Sequence, residues 1–192
     1  MLGVPEMRTT IRLLSSVTAL VVTSLLAVPV GRATAQAGTP PATASVAADP
    51  ADVGSMNAII KALYDVISGP AGQPRKWDRM RSLFVPGARL IPAGGPAPRV
   101  LTVDEYINQA GPGLERNGFF EREISNKVET FGHITHTFST YESRRTAQDA
   151  KPFARGINSI QLFSDGTRWW VVTVFWDSER PNNPIPAKYL PK

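Results

Sequence analysis

Four ionisable side chains in the C-terminal half of the sequence, Glu142, Arg144, Arg155 and Asp177, are spaced so that neighbouring β-strands would gather them on one sheet face. Two arginines beside two carboxylates could bind a ligand carboxylate or polarise a carbonyl, with Glu142 or Asp177 as general base. The same set would equally make a cross-strand ion-pair ladder on a sheet surface. His136 adds a candidate base, because an unperturbed imidazole titrates near ~6.5. His133 lies three residues before it, a spacing that in a strand sends the two rings to opposite faces, so they cannot chelate one ion. With no cysteine and no HExxH pattern, no metal site is expected. Gly94-Gly95 is followed by no P-loop or dinucleotide fingerprint, so no cofactor is expected either. Glu121, Glu123 and Glu129 read as one face of a solvated edge strand.

The elements that must position these residues fall into two blocks. In the first, apolar residues from Val53 through Met56, Ile59, Ile60, Leu63, Val66 and Ile67 keep helical spacing until Gly69-Pro70. KWDRMRSLF (76–84) predicts a second helix, and residues 88–91 a short strand before the turn PAGGPAP. Thr102 with Glu105 forms a capping box for a third helix through Tyr106 and Ile107, which Gly111-Pro112-Gly113 should break.

The second block holds four extended candidates, at about 119–131, 134–146, 153–164 and 168–178, rich in aromatic and β-branched residues. Gly132, the 147–152 loop and Asp165-Gly166 supply the turns of an antiparallel meander. Helices followed by strands predict an α+β domain. Alternation assigns His136, Phe138, Thr140, Glu142, Arg144, Arg155, Ile157, Phe175 and Asp177 to one face. It assigns Ser139, Tyr141, Asn158, Ile160, Leu162, Trp170, Val172, Val174 and Trp176 to the other, and separates Trp169 from Trp170. Large aromatics on both faces call for a covered outer face, by a second copy or by the tail SERPNNPIPAKYLP with Tyr189 and Leu190 as anchors.

The N-terminus carries Arg8 and Arg12, the apolar run VTALVVTSLLAVPV and Ala33-Thr34-Ala35, which together read as a secretory signal peptide over residues 1–35. Residues 36–51, rich in Ala, Pro and Thr, read as a flexible tether, and 52–192 as the domain. The expected location is periplasmic or secreted. Cleavage would remove three of the 21 basic and one of the 16 acidic residues, leaving 18 − 15 = +3. That modest, scattered charge gives no nucleic-acid footprint, and cleavage would leave no membrane attachment.

The domain resembles the nuclear transport factor 2-like superfamily, and more narrowly its bacterial SnoaL-like members of uncharacterised function. The resemblance lies in FFEREI (119–124), FGHITHTFSTYESR (131–144), PFARGINSIQLF (152–163), DGTRWWVVTVFW (165–176) and PIPAKYLP (184–191). It implies a cone: N-terminal helices packed on a curved antiparallel sheet with a cavity between, often dimeric through the sheet. It carries no enzyme motif, and its members include isomerases, dehydratases and non-catalytic domains. Three functions follow as expectations. The first is an exported binder of a small apolar or carboxylate-bearing molecule, with Tyr64, Trp77, Tyr106, Tyr141, Asn158 and Trp176 lining the cavity. The second is a lyase or isomerase using His136 or Asp177 with Arg144 or Arg155. The third is a homodimeric interaction module with a filled core.

Overall fold

A computed structural model describes residues 46–192; the expected signal peptide and most of the expected tether lie outside the described residues. Helical structure starts at α1 (Pro50–Val53), where the Asp49 carboxylate accepts from the Ala51 amide at 2.9 Å. The single long helix expected from Val53 onward is two. Gly54 ends α1, and Ser55 caps a new helix, α2 (Met56–Ile67), by accepting from the Ala58 amide. The apolar stripe of α2 buries Ile59, Ile60, Leu63, Tyr64 and Val66 against the sheet. Helix α3 (Trp77–Leu83) follows and runs directly into strand β1 (Phe84–Pro92), longer than the 88–91 segment expected.

Helix α4 (Val103–Asn117) begins with the expected capping box, the Thr102 amide donating to Glu105 at 2.7 Å and the Glu105 amide to Thr102 Oγ1 at 3.2 Å. It does not break at Gly111-Pro112-Gly113 but runs through them. Pro112 cannot donate to the Asn108 carbonyl, yet both residues are exposed and water can satisfy that acceptor. Gly111 lets α4 pack closely on α3, since a Cβ there would lie 3.0 Å from Trp77 Cζ2. The extra turn brings Glu115 to the Arg75 amide and the Trp77 indole N–H, each at 2.9 Å. Local breaker chemistry is thus overruled by a tertiary clamp.

Strands β2 (Phe120–Phe131), β3 (Ile134–Arg144), β4 (Ala154–Ser164) and β5 (Trp169–Ser178) form the antiparallel meander, turning through Gly132 and Gly166 at φ 55° and 91°. The sheet order is β1-β5-β4-β3-β2, so β1 and β2 are the edges. The sheet is mixed rather than wholly antiparallel, because β1 pairs parallel with β5. Turn positions in the sequence place Glu142 beside Ile157 and Arg155 beside Asp177; instead Glu142 opposes Arg155 and Ile157 opposes Asp177, a two-residue slip that preserves faces.

Two bulges do change faces. Ile124 is the extra residue on β2 and Val172 on β5. Beyond Ile124, Glu129 opposes His136 on the outer face, whereas Glu121 and Glu123 oppose Ser143 and Tyr141 on the inner one. Val172 likewise makes Trp169, not Trp170, the inner partner of Trp176: Trp169 and Trp176 pack on the core, and Trp170 turns outward to donate to Asp165 at 2.8 Å. The helices cover the inner face, and the core lies between α2 and α3 and the residues Leu90, Ile160, Leu162, Val171 and Val174 of the sheet.

Candidate functional site

Between α2, α4 and the inner sheet face a cavity of about 230 Å³ remains open. Leu63, Tyr64 and Ile67 of α2, Met80 of α3, Leu90 of β1 and Tyr106 of α4 form one wall. The sheet supplies Glu121, Tyr141, Ser143, Asn158, Val174, Trp176 and Ser178, while Phe119 and Phe153 stand at 6.1 Å, edge to face, before β2 and β4. Tyr106 and Trp176 meet edge to face at 6.0 Å.

Glu121 is the chemical centre of this space. Ser143 Oγ donates to its Oε2 at 2.7 Å. Burial pushes its carboxyl up to about 7, and Ser143 with the Asn158 amide lowers it only in part. A second polar chain runs deeper: Asn158 Nδ2 donates to the Tyr64 hydroxyl at 3.0 Å, Tyr64 shares a 2.6 Å bond with Ser139, and Ser139 donates to Glu123. Burial likewise raises Glu123, which Ser139 and Asn126 offset in part. Burial raises all three tyrosines, Tyr141 to about 12. Tyr141 is hydrogen-bonded to Ser178 at 3.2 Å. Among the described residues the Tyr106 hydroxyl has no hydrogen-bond partner, and the charge of Glu121 adds to the cost of ionising it. No Lys, Arg or His of the described residues lines the cavity.

The structure separates the two groups of residues singled out from sequence. Tyr64, Tyr106, Tyr141, Asn158 and Trp176 line the cavity, but Trp77 does not, its indole being tied to Glu115 between α3 and α4. His136, Glu142, Arg144, Arg155 and Asp177 belong to the outer face, away from the cavity, and do not form one constellation. Glu142 sits between Arg122 and Arg144, Arg155 pairs with Glu179 at 2.8 Å, and Asp177 pairs with Arg180 at 2.6 Å. His136 Nε2 is 2.9 Å from Ser159 Oγ, and its ring packs edge to face on Phe138. These are ion pairs and packing contacts of a sheet surface.

Glu121, by contrast, was legible only as a charge on an edge strand. It is on an edge strand, but α2 covers it. Among the described residues no group of three or more His, Asp or Glu is placed to hold a metal ion.

A second hollow of similar size lies on the outer face beneath the tail, lined by Phe138, Ile157, Phe175, Pro184 and Ile185. Its carboxylates, Asp177 and Glu179, are already paired with arginines. Tyr189 stacks on Phe138 at 5.4 Å, and Thr140 Oγ1 donates to the Tyr189 carbonyl at 2.7 Å, so the tail does cover part of this face. Phe131, Ile134 and Phe175 remain exposed.

No protein-family model and no curated protein matches the chain. Among solved structures, an NTF-2 like protein of unknown function from Silicibacter pomeroyi superposes with a TM-score of 0.48 at 12% identity, covering 66% of this chain and 94% of that one. A protein of unknown function with a cystatin-like fold from Nostoc punctiforme gives 0.46 at 12% identity, covering 66% and 89%. A candidate ketosteroid isomerase from Shewanella frigidimarina gives 0.40 at 13% identity, covering 53% and 81%. Neither activity nor ligand is taken from these likenesses. The described domain is α+β, with helices seated on the inner face of a curved, unclosed, five-stranded sheet.

Proposed function

We propose that the protein binds a small, mainly apolar molecule in the cavity between helices and sheet. The observation that carries this reading is the cavity itself: an aromatic and aliphatic wall around a few convergent polar groups, Glu121, Asn158 and the Tyr106 hydroxyl. Its size, about 230 Å³, lies just below the usual range for small-molecule sites and suits a single-ring compound. The test is titration calorimetry with single-ring aromatic compounds against the parent chain and Ala154→Phe, a substitution on the cavity wall that fills the space. Binding to the parent that Ala154→Phe abolishes supports the reading; binding that survives the filling substitution overturns it. A ligand carboxylate has lost its basis, because Arg144 and Arg155 are on the other side of the sheet.

One observation favours proton-transfer chemistry as a second reading. A carboxyl that titrates at about 7 stands in the same cavity as an uncommitted tyrosine hydroxyl. Such a pair could move a proton α to a carbonyl, with Glu121 as base and Tyr106 donating to the developing oxyanion. These groups take the places that the sequence offered to His136 or Asp177 and to an arginine. Loss of turnover in both Glu121→Gln and Tyr106→Phe, with binding retained, is the result that would establish it.

We also propose export through the leader read over residues 1–35, and self-association through the outer face, where Phe131, Ile134 and Phe175 are exposed. Fractionation of cells expressing the full chain tests the first. Light scattering on a size-exclusion column tests the second. Among the described residues, no helix is long and apolar enough to cross a membrane.

A further inference from the structure

We propose, resting on the cavity-binding reading, that the ligand carries an ammonium group, held as an ion pair with Glu121 inside a cage of aromatic rings. The argument begins from what Glu121 lacks. Several carboxylates elsewhere in the described domain have arginine partners, Asp52 with Arg79, Asp104 with Arg81, Glu142 with Arg122 and Arg144, Asp177 with Arg180, and Glu179 with Arg155, whereas Glu121 and its strand neighbour Glu123 have none. Glu121 is more enclosed than the exposed members of that set, yet receives only the Ser143 hydroxyl at its Oε2 and the influence of the Asn158 amide. An enclosed carboxylate without a cation is costly in its charged form, so a cation brought by the ligand gains more here than at the surface.

The walls suit the same group. Tyr64, Tyr106, Tyr141, Trp176, Phe119 and Phe153 all line the cavity, and aromatic faces attract a cation through their quadrupoles without requiring directed donors. One of these rings already takes a cation from outside: the Arg145 guanidinium carbon lies 4.1 Å from the centroid of Phe153. The Tyr106 hydroxyl can accept from an ammonium N–H. An anionic ligand would meet Glu121 and no base. A neutral ligand without a hydrogen-bond donor would leave the carboxylate unsatisfied above its titration point.

The groups facing Glu121 set how pH enters. They are Tyr64 from α2, Tyr106 from α4, Tyr141 from β3 and, on its own strand, Glu123; a neighbouring hollow that Glu121 also lines holds Asp65 of α2, Arg122, Arg144 and Asp149. The cavity residues of α3, β1, β4 and β5 carry no ionisable side chain. On the outer side Arg122 and Arg144 are both engaged by Glu142, and Arg145 lies over Phe153. Around neutrality Glu121 is therefore the cavity-lining group whose ionisation changes.

The decisive probes are benzyltrimethylammonium, whose charge is independent of pH, and neopentylbenzene, its uncharged isostere. Each is titrated by calorimetry into the purified full-length chain and into Glu121→Gln, with thermal unfolding recorded as a check of folding. The expected result is a preference for the cation of roughly tenfold or more at about pH 7.5. That preference should shrink toward parity at about pH 5.5, as Glu121 is protonated, the cation losing affinity and the isostere losing none. Glu121→Gln should lose the preference and keep the isostere. Equal or stronger binding of the isostere, or a cation affinity indifferent to pH, overturns the ammonium proposal and leaves the cavity reading intact. Binding of neither probe, with no change in Trp176 fluorescence, overturns both for ligands of this size.

Discussion

Ser143 and Glu121 oppose each other across the β2–β3 ladder on the inner face of the sheet, joined by a 2.7 Å hydrogen bond. That pairing exists because of the bulge at Ile124. From Phe131↔Ile134 to Ser125↔Thr140 the paired residue numbers sum to 265, and continuing that register would set Glu121 opposite Arg144 on the outer face. One extra residue moves the sum to 264 and turns Glu121 into the cavity. The carboxyl is there because a strand was interrupted.

Replacing Glu121 with Gln should therefore flatten the pH dependence of stability. The carboxyl titrates at about 7 in the folded protein, against 4.5 for the ordinary side chain. The folded state binds this proton more tightly than the unfolded one, so its contribution is fully present below about pH 4.5 and is lost as pH rises through about 7. Urea unfolding at about pH 8 should find Glu121→Gln more stable than the parent by about 1–3 kcal/mol, and near parity at about pH 4. Parallel stability curves for the two proteins would show that Glu121 is solvated like a surface acid.

Tyr64 joins the helices to the sheet through its hydroxyl, which bonds Ser139 at 2.6 Å and Asn158 at 3.0 Å. Tyr64→Phe keeps the ring against the core but leaves Asn158 Nδ2 without that acceptor. The expected loss is about 1–2 kcal/mol in urea unfolding, since removing one partner exposes the desolvation cost of the other. An unchanged midpoint would mean that the Asn158 amide finds another acceptor without penalty.

The meander was legible in the sequence because its signals are local. Gly132 and Gly166 do adopt the positive φ that tight turns need, and period-2 alternation separates Tyr141 and Asn158 from Glu142 and Arg155. The bulges were not legible. Ile124 and Val172 are good strand formers with no turn chemistry, and the faces of Glu129 and Trp170 depend on them. The candidate site suffered for a related reason: Glu121 resembles any edge-strand charge until α2 is laid over it. Pro112 misled in the opposite direction, since a strong local stop signal was outweighed by the contacts Glu115 makes with Arg75 and Trp77.

Arg75 is the residue whose loss should damage the helical layer most. Only 8% exposed, it donates to five carbonyls: Ile67, Gly69, Pro70, Gln73 and Leu114, at 2.6 to 3.3 Å. These tie the end of α2 and the following loop to α4, the two helices that bring Tyr64 and Tyr106 to the cavity. Arg75→Lys keeps the charge but not the planar fork, and should cost about 2–4 kcal/mol in urea unfolding. A loss under about 0.5 kcal/mol would show that the carbonyls are readily satisfied by water, as surface positions are.

The tail poses a separate question, because it covers the sheet face where self-association is proposed. Residues 184–192 are held by the Tyr189 ring on Phe138, the Thr140 hydroxyl on the Tyr189 carbonyl, and the Ile185 amide on Glu179 at 3.2 Å. Tyr189→Ala removes the first and leaves the other two, so the expected cost is about 1 kcal/mol, with faster amide exchange confined to the residues after Ser178. Deleting residues 184–192 removes all three and uncovers Phe138 and Thr140 beside the already exposed Phe175. The apolar area of the outer face then grows, and the mass measured by light scattering should shift toward larger species at a given concentration. A truncated protein of unchanged mass and unchanged concentration dependence would show that the tail hides no association surface, and that Phe138 packs against it only as part of the fold.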